Sequence, residues 1–308
     1  MTSPGPLALG GMRVAVTGAS GFCGSAVARA AAAAGADVIC LGRRPGPVGK
    51  HMPWDATRGE PDLAGADVVV HLAAAVGDPG NRPSVEAAFR AVNVDGAARL
   101  LDAARARPVV WVSSASVYDP RVDRRLVGED HPVSGQLTAY GRTKAEGERL
   151  ALAAGAVVLR PRAVYGPGDP HLLPRIRRSV RAGLALMPGP DVRLSLTAVE
   201  NLADACLAAI TWPIGAYNVA DAEPYARDAS IRAVLAAHGI AARVVHIPAT
   251  VAMSAARVAQ LLARLTAEPT LTPYSVDQVA HGVVLNISKA LARGWRPRRR
   301  LADYLAEC

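Results

Sequence analysis

The chain has 308 residues, 51% of them hydrophobic and 20% charged, with a formal net charge of +9 and four cysteines. That composition excludes a disordered chain, and four cysteines with no CxxC pair or regular spacing exclude a disulfide framework or a cysteine-rich zinc module. The basic balance leaves nucleic acid, a membrane surface or an anionic ligand as partners, but aromatics at 4% give a base-stacking platform little to build on.

Residues 1–11 read as a flexible Pro/Gly-rich tail rather than a signal peptide, because no basic segment precedes a long apolar stretch. No apolar run approaches the ~20 residues needed to span a bilayer. The expectation is a cytoplasmic protein with neither a membrane nor a nucleic acid as partner.

The first half alternates short apolar runs with Ala-rich helical ones. Strands are predicted at Met12–Thr17, Asp37–Leu41, Asp67–Leu72, Pro108–Ser113 and Ala156–Arg160, and helices at Phe22–Ala34, Val85–Ala104 and Ala139–Ala153. The strands are near-continuous Val/Ile/Leu runs, as expected when helices cover both faces of a parallel sheet. The βαβα order predicts an α/β, doubly wound fold. Farther on, helices are predicted at Val199–Ile210, Asp228–His238, Val251–Leu265 and Ser275–Ala280, and strands at Ala216–Val219 and Arg243–Ile247. There is no internal repeat and no linker long enough to separate independent domains.

After the first strand comes Thr17-Gly-Ala-Ser-Gly-Phe-Cys-Gly24, with GxxGxxG spacing. Gly18 permits a tight turn, Gly21 a close approach to a pyrophosphate, and Gly24 close packing of the helix on the sheet; the helix start then offers N–H donors to phosphates. Gly18, Ser20, Gly21, Phe22, Cys23 and Gly24 are therefore the candidate dinucleotide cradle, with Cys23 also read as a small packing residue. The acid that would hold the adenosine ribose hydroxyls is missing from the end of the second strand, where Arg43 and Arg44 stand instead. Two guanidinium groups suit a 2′-phosphate, so NADP(H) is favoured and NAD(H) is the alternative. Asp55 is a candidate for the adenine edge.

Tyr140-Gly-Arg-Thr-Lys144 places Tyr and Lys four apart on one helix face. An ammonium beside a phenol favours the phenolate, and Ser114 at the end of a strand is placed to donate to a carbonyl or alkoxide oxygen.

Taken together, these motifs resemble the extended short-chain dehydrogenase/reductases, from about Met12 to Leu305. The resemblance is carried by TGASGFCG (Thr17–Gly24), DVVVHLAA (Asp67–Ala74), Asn93-Val-Asp-Gly96, VSSASVY (Val112–Tyr118), YGRTK (Tyr140–Lys144), LRPRAVYGPGD (Leu159–Asp169), VENLADA (Val199–Ala205) and GWRP (Gly294–Pro297). It implies a Rossmann-type cofactor domain over 12–165, with returning segments near 192–222 and 240–250, and a smaller C-terminal substrate-binding lobe formed by 166–191 and 223–305. By the same resemblance Tyr140 is the general acid/base, Lys144 tunes it and holds the nicotinamide ribose, and Ser114 polarises the reacting oxygen, with Ser113 the neighbouring alternative. Leu72, Ala73, Ala74, Val112 and Pro161 are expected along the cofactor groove. Val76, Ala115, Ser116, Ala163, Val164 and His171 are expected toward the substrate.

Two departures count against a sugar nucleotide. Ala163 stands where family epimerases often carry an Asn that contacts the diphosphate, and Leu194 where they often carry an Arg. The dehydratase pattern fails as well, since Ala115-Ser116 replaces an Asp-Glu pair. The stretches around Gly168–Gly183 and Pro269–Ala280 resemble the 3β-hydroxysteroid-dehydrogenase-like branch. The expected activity is therefore interconversion of a ketone and a secondary alcohol on a bulky or apolar small molecule. A nucleotide-sugar 4-epimerase/4-ketoreductase and a non-catalytic NADP(H) sensor are the alternatives. The histidines show no HxxxH or HExxH spacing, so no metal is expected. His71 and Asn93 read as structural residues, Arg293–Arg300 as a solvated basic face, and the helices at Val85–Ala104 and Ala139–Ala153 as a homodimer surface.

Overall fold

The computed structural model describes residues 9–77, 82–170, 172–262 and 271–308. Its centre is a seven-stranded, wholly parallel sheet. Six strands come first in the chain: β1 (Arg13–Thr17), β2 (Asp37–Gly42), β3 (Lys50–Pro53), β4 (Val68–His71), β5 (Val109–Val112) and β6 (Val157–Pro161). The spatial order runs β3-β2-β1-β4-β5-β6, and the strand at Gly215–Val219 closes the β6 edge. The order therefore reverses between β1 and β4, the crevice where ligands bind in open α/β sheets.

Both faces of the sheet are covered, as the continuous apolar runs require. Val14 and Val16 of β1 pack into a core with helix α1 (Phe22–Ala33) and the later helix Val199–Ala208. Ala15 between them packs on the opposite side with Leu100, Ala104 and Ala151. Leu100 and Ala104 belong to α3 (Gly96–Ala104), which follows α2 (Pro83–Arg90), and Ala151 belongs to α4 (Ala139–Ala153). A π-helical turn, Ala91–Asp95, joins α2 to α3 where the sequence predicts one regular helix.

Beyond β6 the chain leaves and re-enters the main sheet. Short pairs form between β7 (Val164–Tyr165) and Thr197–Ala198, and between Arg193–Leu194 and Tyr225–Ala226. A separate three-stranded sheet holds Val180–Arg181, Leu184–Pro188 and Arg243–Ile247. The segment 240–250 therefore does not return to the cofactor sheet as the sequence suggests. Arg243–Ile247 pairs in parallel with Leu184–Pro188, burying Ala185 and Met187 against Ile231 and Leu235. The helix predicted at Val251–Leu265 is seen as Ala249–Leu262, and residues 263–265 lie outside the described residues. Pro273–Ala280 forms a helix that begins with a Thr272–Ser275 capping box. Among the described residues no helix is long and apolar enough to cross a membrane.

The basic C-terminal run is tied down through its backbone. Asn201 Oδ1 accepts from the N–H groups of both Arg298 and Arg299, and its amide donates to Arg299 O. The Arg299 side chain pairs with Glu307, and the first turn of Leu301–Leu305 is closed by Arg300 and Asp303.

Candidate active site

The glycine turn has the shape that a dinucleotide pyrophosphate needs. Gly18 has φ +67°, and a Cβ there would lie 2.9 Å from Ala73 N. A Cβ on Gly24 would lie 2.2 Å from Gly18 O, so helix and turn meet at a separation only glycine allows. Gly21 caps α1 without a side-chain hydrogen bond, and Ser20 and Gly21 are exposed. The first N–H groups of α1 are thus not satisfied by a capping side chain, which leaves them able to donate to a phosphate. Phe22 and Cys23 are half-buried at the helix start. Burial, with a smaller contribution from Asp169, pushes the Cys23 thiol up to about 12, which fits a packing role.

Thr17 ties the glycine turn to the loop after β4, a link that the glycine spacing alone does not reveal. Its hydroxyl accepts from Leu72 N and Ala73 N, both at 3.0 Å, and meets His71 Nδ1 at 2.8 Å. A hydroxyl that already accepts twice gives its own hydrogen to Nδ1, which assigns the imidazole proton to Nε2. His71 stacks on Trp111 at 4.3 Å, and burial, then Lys144, holds its pKa well below the usual value. It is a neutral packing residue that sets the height of the β4 loop. Leu72, Ala73 and Ala74 are half-buried beside the glycine turn.

Tyr140 stands in the first turn of α4, whose N-cap Thr138 accepts from Gly141 N at 3.0 Å. Burial raises the phenol pKa above the usual tyrosine range, while a hydrogen bond with Ser114 works to lower it. Lys144 lies one turn on, its Nζ donating to Val112 O at 2.7 Å and standing 5.1 Å from the Trp111 ring centre. Burial lowers the Lys144 pKa to about 8, against an opposing pull from Glu148.

The two neighbouring serines are separated by their partners. Ser113 Oγ donates to Glu148 Oε2 at 2.5 Å, inside a buried network in which Arg160 also binds Glu148 and Tyr118. Ser114 Oγ instead contacts Ser116 Oγ at 3.1 Å and Tyr140. Ser113 is committed to the interior, and Ser114 faces the phenol. Asn93, at the centre of the π-turn, grips both backbone groups of Ala75 and donates to Thr143 Oγ1 at 3.0 Å. The extra residue of the turn aims this amide across to the β4 loop and α4 together.

Arg43 and Arg44 are exposed beyond β2. Arg43 lines an open cleft of about 400 Å³ with Pro53, Trp54, Asp55, Arg58 and Glu60, so it shares a site with Asp55. Arg44 is not part of that lining. Two hydrogen bonds from Thr57 and, to a lesser degree, Arg43 keep the Asp55 pKa low. Pro161 is buried at the end of β6.

Of the substrate candidates, Ala115 and Ser116 line a small cavity together with Gln136, Arg162 and Tyr274. Val76, Ala163 and Val164 are not part of its lining, and Val76 is exposed. Ala163 holds a positive φ of 45°, an uncommon conformation for a non-glycine residue, at the exit of β6. His171 lies outside the described residues. Sequence reasoning missed Tyr274, whose hydroxyl is 2.9 Å from Ser116 Oγ across 158 positions of chain. It also missed Arg162. Tyr274 lies in the PTLTPYSVDQVA stretch and Arg162 in LRPRAVYGPGD, but neither motif singles out the residue.

Comparison with known proteins shows the family of the chain and its fold. The model of the NAD dependent epimerase/dehydratase family matches residues 14–220. A ketoreductase from Stigmatella aurantiaca, named for a 4-hydroxy-2-methyl-3-oxo-4-farnesyl-3,4-dihydroquinoline-1-oxide, is 30% identical over 91% of this chain and 90% of its own. The 2-alkyl-3-oxoalkanoate reductase of Shewanella oneidensis is 28% identical over 89% of this chain and 79% of its own. Among solved structures, a short-chain dehydrogenase/reductase superfamily protein from Agrobacterium tumefaciens with bound NAD has a TM-score of 0.74 at 22% identity, covering 96% and 95% of the two chains. The UDP-glucuronic acid 4-epimerase of Bacillus cereus in complex with NAD scores 0.72 at 21% identity, with 96% of each chain covered. The chain belongs to the NAD dependent epimerase/dehydratase family and is an NAD(P)-dependent oxidoreductase of the extended short-chain dehydrogenase/reductase type.

Proposed function

We propose that the protein is an NADP(H)-dependent ketoreductase that interconverts a ketone and a secondary alcohol on a bulky or apolar small molecule. The observation that carries this reading is the grouping of Ser114, Tyr140 and Lys144 around the ends of β5 and α4. Two relatives named as reductases of oxo compounds support it. The turn of Gly18, Gly21 and Gly24 supports a dinucleotide site, because only glycine at 18 and 24 lets the turn pack against the β4 loop and the start of α1, and the first N–H groups of α1 have no capping side chain. Arg43 is the residue we assign to a 2′-phosphate, with Arg44 as its neighbour and Asp55 beside the adenine. When bound, the cofactor supplies or accepts a hydride.

The chain's own residues handle the proton and the charge. Tyr140 gives a proton to the substrate oxygen in reduction and takes it back in oxidation. Ser114 donates a hydrogen bond to that oxygen as negative charge develops. Lys144 is held by Val112 O and the Trp111 face and would hold the nicotinamide ribose when the cofactor is bound. Burial keeps the phenol protonated in the free protein, the state that reduction uses. We further propose a cytoplasmic location, which suits four free cysteines, and a homodimer through α2, α3 and α4.

The epimerase reading has weaker support. Ala163 and Leu194 offer no charge to a diphosphate, and Arg193 is turned to Pro224 O. A titration with NADPH and NADH, followed by a ketone and alcohol panel read at the nicotinamide absorbance, tests the proposal. Turnover of hydrophobic ketones with NADPH is expected. Tight cofactor binding without turnover of any ketone or alcohol would point to a sensor instead.

A further inference from the structure

The positive charge of the chain is not spread evenly. Residues 170–190 and 229–267 hold eight arginines, no lysine and no acidic residue, a formal +8 against +9 for the whole chain. Their described parts supply the helix Leu172–Ser179, the three-stranded sheet, most of the helix Arg227–Ala237 and the helix Ala249–Leu262. These are elements of the C-terminal lobe, outside the cofactor sheet.

Strand register shows what that sheet presents outward. Leu184 pairs with Arg181 on one side and with Arg243 on the other, so the three side chains form one rung on one face. Leu186 and Val245 form the next rung of the same face. The opposite face is the covered one, where Ala185, Met187 and Val244 pack with Ile231 and Leu235. The outward face is open: Leu184 is 38% and Leu186 44% exposed, and Arg181 and Arg243 are exposed beside them.

The strand Arg243–Ile247 runs through Pro248 into the helix Ala249–Leu262, which repeats the combination. Val251 and Val258 stand two turns apart on one side, Leu261 follows about a turn later, and all three are more than half exposed. Arg257 is exposed next to Val258. On the inner side, Ala252 and Ala256 pack with Val276 and Ala280 of the helix that carries Tyr274.

Exposed leucines and valines among arginines, with no acid in either segment, narrow the choice of partner. A nucleic acid would satisfy the arginines but leave the aliphatic side chains in water. A second copy of the same face would bring arginines against arginines. An anionic bilayer meets both needs: headgroups take the guanidinium groups, and the aliphatic side chains enter the boundary of the acyl region. We propose that this outer face of the C-terminal lobe docks on an anionic lipid surface. A membrane surface is a partner not expected from the sequence. The contact is peripheral, since among the described residues no helix is long and apolar enough to cross a bilayer. It goes beyond the ketoreductase reading and does not depend on it.

The test is co-sedimentation of the full-length protein with vesicles of phosphatidylcholine alone, and with vesicles in which about a third of the lipid is phosphatidylglycerol. Binding should be at least about tenfold stronger to the anionic vesicles, and it should fall when salt rises from about 0.1 to about 1 M, which shortens the screening length from about 10 to about 3 Å. Arg243→Gln should weaken binding about fivefold, the change expected for one basic side chain at such a surface. Leu186→Ser should weaken it by a similar factor of about five, through lost apolar contact. Both positions are on the surface, and unchanged NADPH binding confirms that the variants are folded. Equally weak binding to both kinds of vesicle overturns the proposal, as does binding by folded Arg243→Gln and Leu186→Ser proteins that matches the wild type. A wild-type dimer that Leu186→Ser converts to a monomer would place a second copy on this face and also overturn it. None of these readouts needs turnover, so failure of the ketoreductase reading leaves the result standing.

Discussion

Replacing Lys144 with Met should make the cofactor-free protein more stable at neutral pH and inactive. Lys144 is 3% exposed, and its pKa falls from 10.5 to about 8 in the folded chain. At about 1.36 kcal/mol per pH unit, that difference represents about 3 kcal/mol held against folding below pH 8. Removing the ammonium also leaves Val112 O without its donor, which costs about 1 kcal/mol. The net expectation is a gain of about 2 kcal/mol at pH 7. The pH dependence has a definite sign. Between pH 8 and 10.5 the unfolded chain binds the proton and the folded one does not, so Lys144 makes wild-type stability rise with pH across that window. Lys144→Met lacks this rise, and its advantage should vanish above pH 10. Urea unfolding of wild type and variant at pH 7 and pH 10, without cofactor, measures both effects. A variant less stable than wild type at pH 7, or a difference that does not change with pH, would refute the reasoning.

Tyr140→Phe should lower kcat by about a hundredfold or more, the usual contribution of a positioned acid/base, while NADPH binding measured by fluorescence stays near the wild-type value. Arg43→Ala should weaken NADPH more than NADH, and Arg44→Ala should do so less, because Arg43 alone of the pair lines the Asp55 cleft; equal losses for both cofactors would argue against the 2′-phosphate role. Glu148→Ala should destabilise the fold by about 3–5 kcal/mol, because it strands Arg160 as a buried charge. Glu148→Gln should cost less by keeping some of the hydrogen bonds, and thermal unfolding separates the two.

Some features of the molecule are written in local pattern and some are not. β1, β4 and β5 are continuous apolar runs and α4 begins at a Thr cap, so their bounds follow closely from the residues. The glycine turn and the Tyr140–Lys144 spacing are equally local. β3 was missed because Lys-His-Met-Pro carries no apolar run; it is an edge strand with half of its residues exposed. The strand at Arg243–Ile247 was readable as a strand, but not its partner, because either sheet offers a parallel apolar neighbour. The π-turn escaped notice since one extra residue in a helix leaves little trace in periodicity. Tyr274 and Arg162 are joined to the site only by the tertiary fold, where an ordinary tyrosine and an arginine acquire meaning from what lies beside them.

The 158-residue separation between Ser116 and Tyr274 also bears on how the protein is made. Chains fold progressively as they leave the ribosome. The glycine turn, Tyr140, Lys144 and the edge strand at Gly215–Val219 are all synthesised before the helix that carries Tyr274. A nascent chain therefore completes its nucleotide half first. For the time needed to add the remaining residues it has the glycine turn and the Tyr140–Lys144 face but not the helix that brings Tyr274 to Ser116, so the order of synthesis leaves that side of the cavity among the last parts to be built.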